Sequence, residues 1–200
     1  MEKYSSGLVS ESFWFVEFRK IIKLLILGHN WEEIKTMCLD ENLLSTSKEY
    51  RTKRMYGYLK NRISVLDNDL LAVFQSSDLS TQKIINLIAI AKQNRLFYEF
   101  LYEVYREKAT LGVLELADSD INVFFKKKQE QDDDIATWTD ATLKRLRSSY
   151  FNFLSDAGLI TLIDKKKTIT PPILDITLER VLKSNGDLQM VKAVTGCYNV

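Results

Sequence analysis

Residues 135–170 read IATWTDATLKRLRSSYFNFLSDAGLITLIDKKKTIT, and their order of helix and strand signals is the most informative in the chain. Apolar side chains recur at helical spacing between Thr139 and Ala157, and Gly158 follows where a helix commonly ends in the left-handed conformation. Two β-prone segments then flank a polar turn at residues 164–167. With the helix expected around residues 121–125, this order predicts a winged helix-turn-helix module with a small β-hairpin.

Outside this stretch the chain is poor in residues that interrupt helices. It has 7 Gly and 2 Pro in 200 residues, and the two prolines are adjacent. Helical periodicity dominates the first half. The sequence therefore predicts a mainly α protein with three parts: a helical bundle over residues 1–116, the winged-helix module over 117–172, and C-terminal helices packing on the core over 173–200.

Side chains at the starts of several helices have the spacing of N-terminal caps. Asn30 with Glu33 and Thr46 with Glu49 both have the spacing of a capping box. Ser80 is expected to cap a central helix that is apolar nearly all round. These positions predict where three helices of the bundle begin.

Composition and charge exclude several classes of protein. Lys and Arg number 28 against 27 Asp and Glu, and 46% of residues are hydrophobic, as in ordinary globular proteins rather than disordered or highly charged ones. Two distant cysteines cannot build a disulfide framework. The most apolar run, residues 21–27, contains a lysine and is far shorter than the roughly 20 residues of a membrane span. We expect a cytoplasmic protein that does not enter the membrane.

The residue patterns that usually mark an active site are missing from the sequence. Neither a phosphate-binding glycine loop nor a nucleophile elbow occurs, and His29 is the only histidine. A catalytic zinc ordinarily takes two or three imidazole or thiolate ligands. We therefore expect no enzymatic activity, no catalytic residues, no metal and no cofactor.

A polar and cationic face on the helix from Thr139 to Ala157 is the first candidate site. Opposite the apolar side chains lie donors suited to phosphates and base edges: Lys144, Arg145, Ser148, Ser149 and Asn152. The hairpin adds Lys165, Lys166 and Lys167, so residues 135–170 carry six basic side chains against three acidic ones. This pattern favours duplex DNA, although the same module could contact proteins while its lysines keep a strand edge soluble.

A second basic segment follows Thr46. Residues 48–62 carry six basic side chains and one acidic one, and the stripe Arg51, Arg54, Tyr58 and Arg62 lies on one helical face. Arginines with a tyrosine between them suit a nucleic-acid backbone. Pairing with acidic helices of the same fold is the alternative for this stripe.

The order of several short motifs resembles the BrxA family of BREX bacteriophage-exclusion systems. The motifs, which run over roughly residues 4 to 175, are residues 8–12 (LVSES), 41–44 (ENLL), 50–54 (YRTKR), 61–63 (NRI), 89–92 (AIAK), 95–100 (RLFYEF), 138–142 (WTDAT) and 154–160 (LSDAGLI). The resemblance implies a non-enzymatic component of a phage-defence system, with duplex DNA and other BREX proteins as partners and a NusB-like helical half.

The sequence thus leads to one hypothesis and two alternatives. The hypothesis is a DNA-binding BREX component that contacts duplex DNA mainly through phosphates. The alternatives are an adaptor within the defence complex that touches no DNA, and an RNA-binding NusB-like module, which would prefer a single strand.

Overall fold

A computed structural model describes residues 3–197, so the first and last parts of the expected ranges 1–116 and 173–200 lie outside it. Its helices are α1 (Phe15–Ile26), α2 (Trp31–Asp40), α3 (Glu49–Ser64), α4 (Asn68–Ser76), α5 (Leu79–Gln93), α6 (Arg95–Phe100), α7 (Arg106–Thr110), α8 (Asp118–Gln131), α9 (Asp133–Ala136), α10 (Asp140–Asp156), α11 (Ile176–Ser184) and α12 (Leu188–Thr195). A 3₁₀ turn, Gly7–Ser10, precedes α1, and a π-helical turn, Leu101–Tyr105, joins α6 to α7. The expected mainly α fold with one small hairpin is confirmed.

The apolar helix α5 lies at the centre of the bundle. Nearly all its side chains from Thr81 to Ala91 are buried, and α1, α3, α4, α6 and α10 pack around it. Its cap is not Ser80: the Asp78 carboxylate accepts from the backbone N–H of Thr81 at 2.8 Å, and the Ser80 hydroxyl donates to that carboxylate. A carboxylate two residues earlier is already placed for the cap, so the serine supports it instead.

One of the two expected capping boxes forms. Asn30 accepts from the N–H of Glu33 at 3.0 Å, and the Glu33 carboxylate accepts from the N–H of Asn30. The box expected from Thr46 and Glu49 is wrong, because α3 has Lys48 at its N-cap position without a side-chain cap. The Glu49 carboxylate is bound to Lys53 at 2.6 Å instead.

The hydrophobic core is continuous across residue 116. The Phe97 ring of α6 lies 4.8 Å, between centroids, from Tyr150 of α10 and 5.6 Å from Phe153. Tyr105 is fully buried and donates its hydroxyl to the backbone carbonyl of Leu159 at 3.2 Å. Side chains from both sides of the expected boundary therefore fill one apolar interior, and the division into three parts stays a prediction.

The hairpin pairs β1 (Ile160–Ile163) antiparallel with β2 (Lys166–Ile169). The turn has two residues, Asp164 and Lys165, both with positive φ (48° and 63°), as in the primed turns that match strand twist. Lys166 and Lys167 therefore belong to the strand, which corrects the four-residue turn expected from the sequence. A segment before α8 joins the other edge of β2: Leu116 N–H donates to the Lys167 carbonyl at 2.8 Å.

Within residues 3–197, none of the helices is both long and apolar enough to cross a lipid bilayer.

Candidate nucleic-acid interface

Helix α10 presents the polar face that its periodicity predicts. Thr139 caps its first turn by accepting from the N–H of Thr142 at 3.2 Å. Its inner face is fully buried, with Leu146, Tyr150 and Leu154 all inaccessible. Four of the five predicted site residues on this helix are exposed, namely Lys144, Arg145, Ser148 and Asn152. The fifth, Ser149, is half-buried.

One side of α10 faces the hairpin. The ammonium of Lys167 lies 4.2 Å from the ring centroid of Phe151 and 2.6 Å from the Asp118 carboxylate at the start of α8. Arg147 approaches the same carboxylate, with its Nε 3.9 Å away. Lys144 lies one turn before Arg147 on the same helical side. The site prediction did not include Arg147. This arginine lies three residues after Lys144 and four before Phe151, and that helical spacing places all three on one side of α10.

The other side of α10 has a different environment. Ser149 and Asn152 line a polar cleft of about 260 Å³ together with Glu11, Ser12 and Asp156. The Glu11 carboxylate is paired with Arg62, and the Asp156 carboxylate opposes the approach of a phosphate. The structure therefore separates Ser149 and Asn152 from the hairpin lysines rather than joining them in one cationic face.

The three hairpin lysines differ in their partners. Lys166 pairs with Glu115 at 3.0 Å and Lys167 with Asp118. The hydrogen bond from Lys167 holds the pKa of Asp118 below its ordinary value, so this carboxylate is charged at neutral pH. Lys165 is exposed at the turn, and the part of the chain that the structure describes brings no carboxylate within 4.0 Å of it.

The basic segment on α3 is exposed only at its beginning. Arg51 and Arg54 are exposed, and the Arg51 guanidinium lies 5.9 Å from the ring centroid of Tyr50. Tyr58 is half-buried and stacks on Trp14 with 5.9 Å between ring centroids. Tyr58 thus presents only part of its ring for stacking on a base or sugar.

The expectation that Arg62 completes an exposed stripe is wrong. Its side chain is fully buried, and its guanidinium donates to Glu11 at 2.7 Å and to the Phe13 carbonyl at 2.8 Å. Desolvation lowers the pKa of Arg62, and the Glu11 carboxylate opposes that shift. Arg62 therefore joins α3 to the segment before α1, as in the alternative of pairing within the fold, and is not available to a phosphate.

The side chains that could take part in metal or nucleophilic chemistry are few among the described residues. Residues 3–197 contain no group of three or more His, Cys, Asp or Glu side chains placed to hold a metal ion. His29 Nδ1 lies 3.3 Å from the Glu33 carboxylate at the start of α2. Burial raises the pKa of Cys38 to about 11, so its thiol is protonated at neutral pH.

Comparisons with known proteins identify the chain's relatives. A "BREX protein BrxA" from Bacillus cereus (strain H3081.97) is 33% identical over 184 residues, covering 92% of each chain. A crystal structure of an uncharacterized protein from Magnetospirillum magneticum has a TM-score of 0.83 over 98% of this chain and all of that one. At 19% identity, that likeness shows the fold alone. The family model BrxA matches residues 2–186. The resemblance drawn from the sequence motifs is thus confirmed, and the chain belongs to the BrxA family.

Proposed function

We propose that this chain is a non-enzymatic component of a bacterial BREX phage-defence system that binds duplex DNA in the cytoplasm, mainly through phosphates. The observation that carries the proposal is the exposure of three cations, Lys144 and Arg145 on α10 and Lys165 at the hairpin turn. The name of the Bacillus cereus relative, a BREX protein, supports the assignment to that system and makes other BREX proteins its expected partners.

The order of elements supports a winged helix-turn-helix interpretation of residues 117–172. The segment at 114–116 is followed by α8, the short α9, α10, β1 and β2, and it hydrogen-bonds to the edge of β2 opposite β1. In helix-turn-helix proteins the second helix of the motif enters the major groove. Placed in this way, α10 would direct Lys144, Arg145 and Ser148 toward DNA, and the hairpin would reach the adjacent backbone.

The charge distribution favours phosphate contacts over base readout. A net charge of +1 provides little long-range attraction, so affinity has to come from local cations. Each phosphate neutralised on duplex DNA contributes about 0.9 to the slope of log affinity against log salt. Lys166 and Lys167 would have to exchange their carboxylate partners for phosphates, so their net contribution is smaller than that of Lys165. Arg51 and Arg54 form a secondary contact in this proposal.

A salt series tests the proposal. We expect the protein to bind unrelated duplexes of equal length with similar affinity, which falls as salt rises. The double variant Lys144→Ala/Lys165→Ala should reduce the salt slope by about 1.8. The control Lys35→Ala removes one exposed cation from α2, far along the chain from the hairpin, and should leave the slope unchanged.

Three results would contradict the proposal. The first is wild-type binding that does not depend on salt, and the second is a double variant with the wild-type slope. The third is a preference for single-stranded RNA over duplex DNA, which would favour the RNA-binding alternative. If no nucleic acid binds and a BREX partner stays bound after nuclease treatment, the chain is an adaptor instead.

A further inference from the structure

A groove between α1 and α4 is not used by the proposed DNA surface. It encloses about 540 Å³, and its floor is formed by the buried side chains of Ile22 and Phe74. Val16 and Leu27 stand at the two ends of the groove along α1, and 61% and 65% of their surfaces are exposed. Large apolar side chains that are this accessible around a concave floor are typical of binding grooves.

The rim of this groove carries charge of one sign. Arg19, Lys20 and Lys23 of α1 all line it, and no carboxylate is among its lining residues. Lys20 is partly engaged, since its ammonium donates to the Leu43 carbonyl at 2.8 Å. Arg19 and Lys23 are exposed to solvent. A ligand that complements the groove therefore combines an apolar surface with carboxylates.

Gln82 is a buried polar residue in the wall of the groove. Gln82 is 93% buried, because only 7% of its surface is exposed, and it lines the groove. Its amide nitrogen donates to the carbonyls of Phe74 at 2.9 Å and Ser77 at 3.0 Å. Its Oε1 has no hydrogen-bond partner among residues 3–197.

We infer that this groove binds an acidic amphipathic helix of a partner protein. Val16 and Leu27 are eleven residues apart on α1, which corresponds to roughly 16 Å and about three turns of a docked helix. Apolar side chains of that helix would cover the floor, and its carboxylates would meet Arg19 and Lys23.

Other occupants fit the groove less well. Duplex DNA would place phosphates over the apolar floor, and a flat lipid surface would leave the concave floor unfilled. Two copies of this groove would bring like charges together, since all the charged residues that line it are cationic. An acidic helix is the ligand that matches the shape, the polarity and the charge at once.

The test uses a synthetic, fluorescently labelled helical peptide of about four turns, with leucines at i, i+3, i+4 and i+7 spacing and glutamates elsewhere. A second peptide with lysines in place of the glutamates controls for apolar attraction. We expect the wild-type protein to bind the glutamate peptide at least about tenfold more tightly than the lysine peptide. The double variant Arg19→Glu/Lys23→Glu should reverse that preference.

Two further variants separate the groove from a general effect of charge. Lys126→Glu/Lys127→Glu changes the net charge by the same amount through exposed cations on α8, and it should keep the wild-type preference. Leu27→Asp should abolish binding of the glutamate peptide. Because Leu27 and the four reversed cations are exposed, circular dichroism and thermal melts should show all variants folded.

Several outcomes would overturn the inference. One is no binding of the glutamate peptide up to millimolar concentration, and another is binding that Leu27→Asp leaves unchanged. Cosedimentation of the wild type, but not of Arg19→Glu/Lys23→Glu, with phosphatidylglycerol vesicles would assign the groove to a membrane surface. A dimer in light scattering that Val16→Asp dissociates would assign it to a second copy of the chain.

Discussion

Replacing Arg62 by methionine should destabilise the protein strongly without acting on DNA directly. The guanidinium donates to the Glu11 carboxylate at 2.7 Å, to the Phe13 carbonyl at 2.8 Å and to the Ser12 carbonyl at 3.1 Å. Methionine keeps most of the apolar length of the side chain and removes every donor. The substitution therefore leaves the carboxylate of Glu11, whose side chain is 9% exposed, without its cation.

The structure sets the size of this effect. Breaking a buried ion pair by removing one partner costs about 3–5 kcal/mol. The Phe13 carbonyl keeps the hydrogen bond from the Asn86 amide at 2.8 Å, so this acceptor remains satisfied. We therefore expect a loss near the lower end, about 3 kcal/mol. For a chain of this size that corresponds to roughly 6–12 °C in melting temperature.

Urea unfolding monitored by circular dichroism measures this loss, with Arg54→Met as the matched control. Arg54 is exposed on the same helix, so its replacement should change the free energy of unfolding by about 0.5 kcal/mol or less. Adding Glu11→Gln to Arg62→Met should recover part of the loss, because an uncharged amide is less costly to bury alone. If Arg62→Met unfolds like the wild type yet binds DNA more weakly, Arg62 is a surface contact and its assigned burial is wrong.

Three further predictions concern the backbone, the hairpin and acid stability. Gly57→Ala within α3 should stabilise the protein by about 0.5–1 kcal/mol, since an added Cβ meets nothing within 4 Å. Gly196→Ala should instead destabilise the protein by about 2 kcal/mol or more, because its φ is +70° and its Cβ would lie 2.4 Å from that of Ala109. Urea unfolding tests both, and equal effects would contradict the packing at Gly196. Glu115→Gln frees Lys166 and should steepen the salt slope of duplex binding by up to about 0.9; an unchanged slope would exclude Lys166 from the interface. Burial raises the pKa of Glu99, but hydrogen bonds from Lys128, Arg95 and Tyr4 outweigh it and leave the pKa below its ordinary value. The stabilisation that ionised Glu99 contributes is therefore complete above its unfolded pKa of about 4.3, and it is lost as pH falls through its lower folded pKa. Glu99→Gln should therefore flatten the decline in the free energy of unfolding at acid pH. An equally steep decline in the variant would refute this.

The helices could be predicted from the sequence because their signals are local. Asn30 and Glu33 form their capping box within four residues, so no distant group decides the outcome. Where two local acceptors compete, the sequence does not rank them. Asp78 takes the cap of α5 that Ser80 was expected to provide, and Lys53 takes the Glu49 carboxylate from the expected box on α3.

The candidate site was harder to predict because its charges are settled by distant partners. Arg62 pairs with Glu11, and Lys166 pairs with Glu115. In each pair the two residues are 51 positions apart in the sequence. Helical spacing correctly placed the polar face of α10, but it could not show that Ser149 and Asn152 face two carboxylates. A stripe of cations in a sequence gives an upper limit on the number that remain available to a ligand.

The aromatic cluster shared by α6 and α10 also bears on how members of this family can recombine. Phe97 meets Tyr150 and Phe153 across the position where a bundle and a DNA-binding module would be divided. A genetic crossover near residue 116 between two diverged relatives would join half of that cluster to a foreign half, and the mismatch would lie in the interior. The two halves are therefore expected to be inherited together and to accumulate compensating changes, so that new surface properties arise by substitution on α10 and the hairpin rather than by exchange of a module.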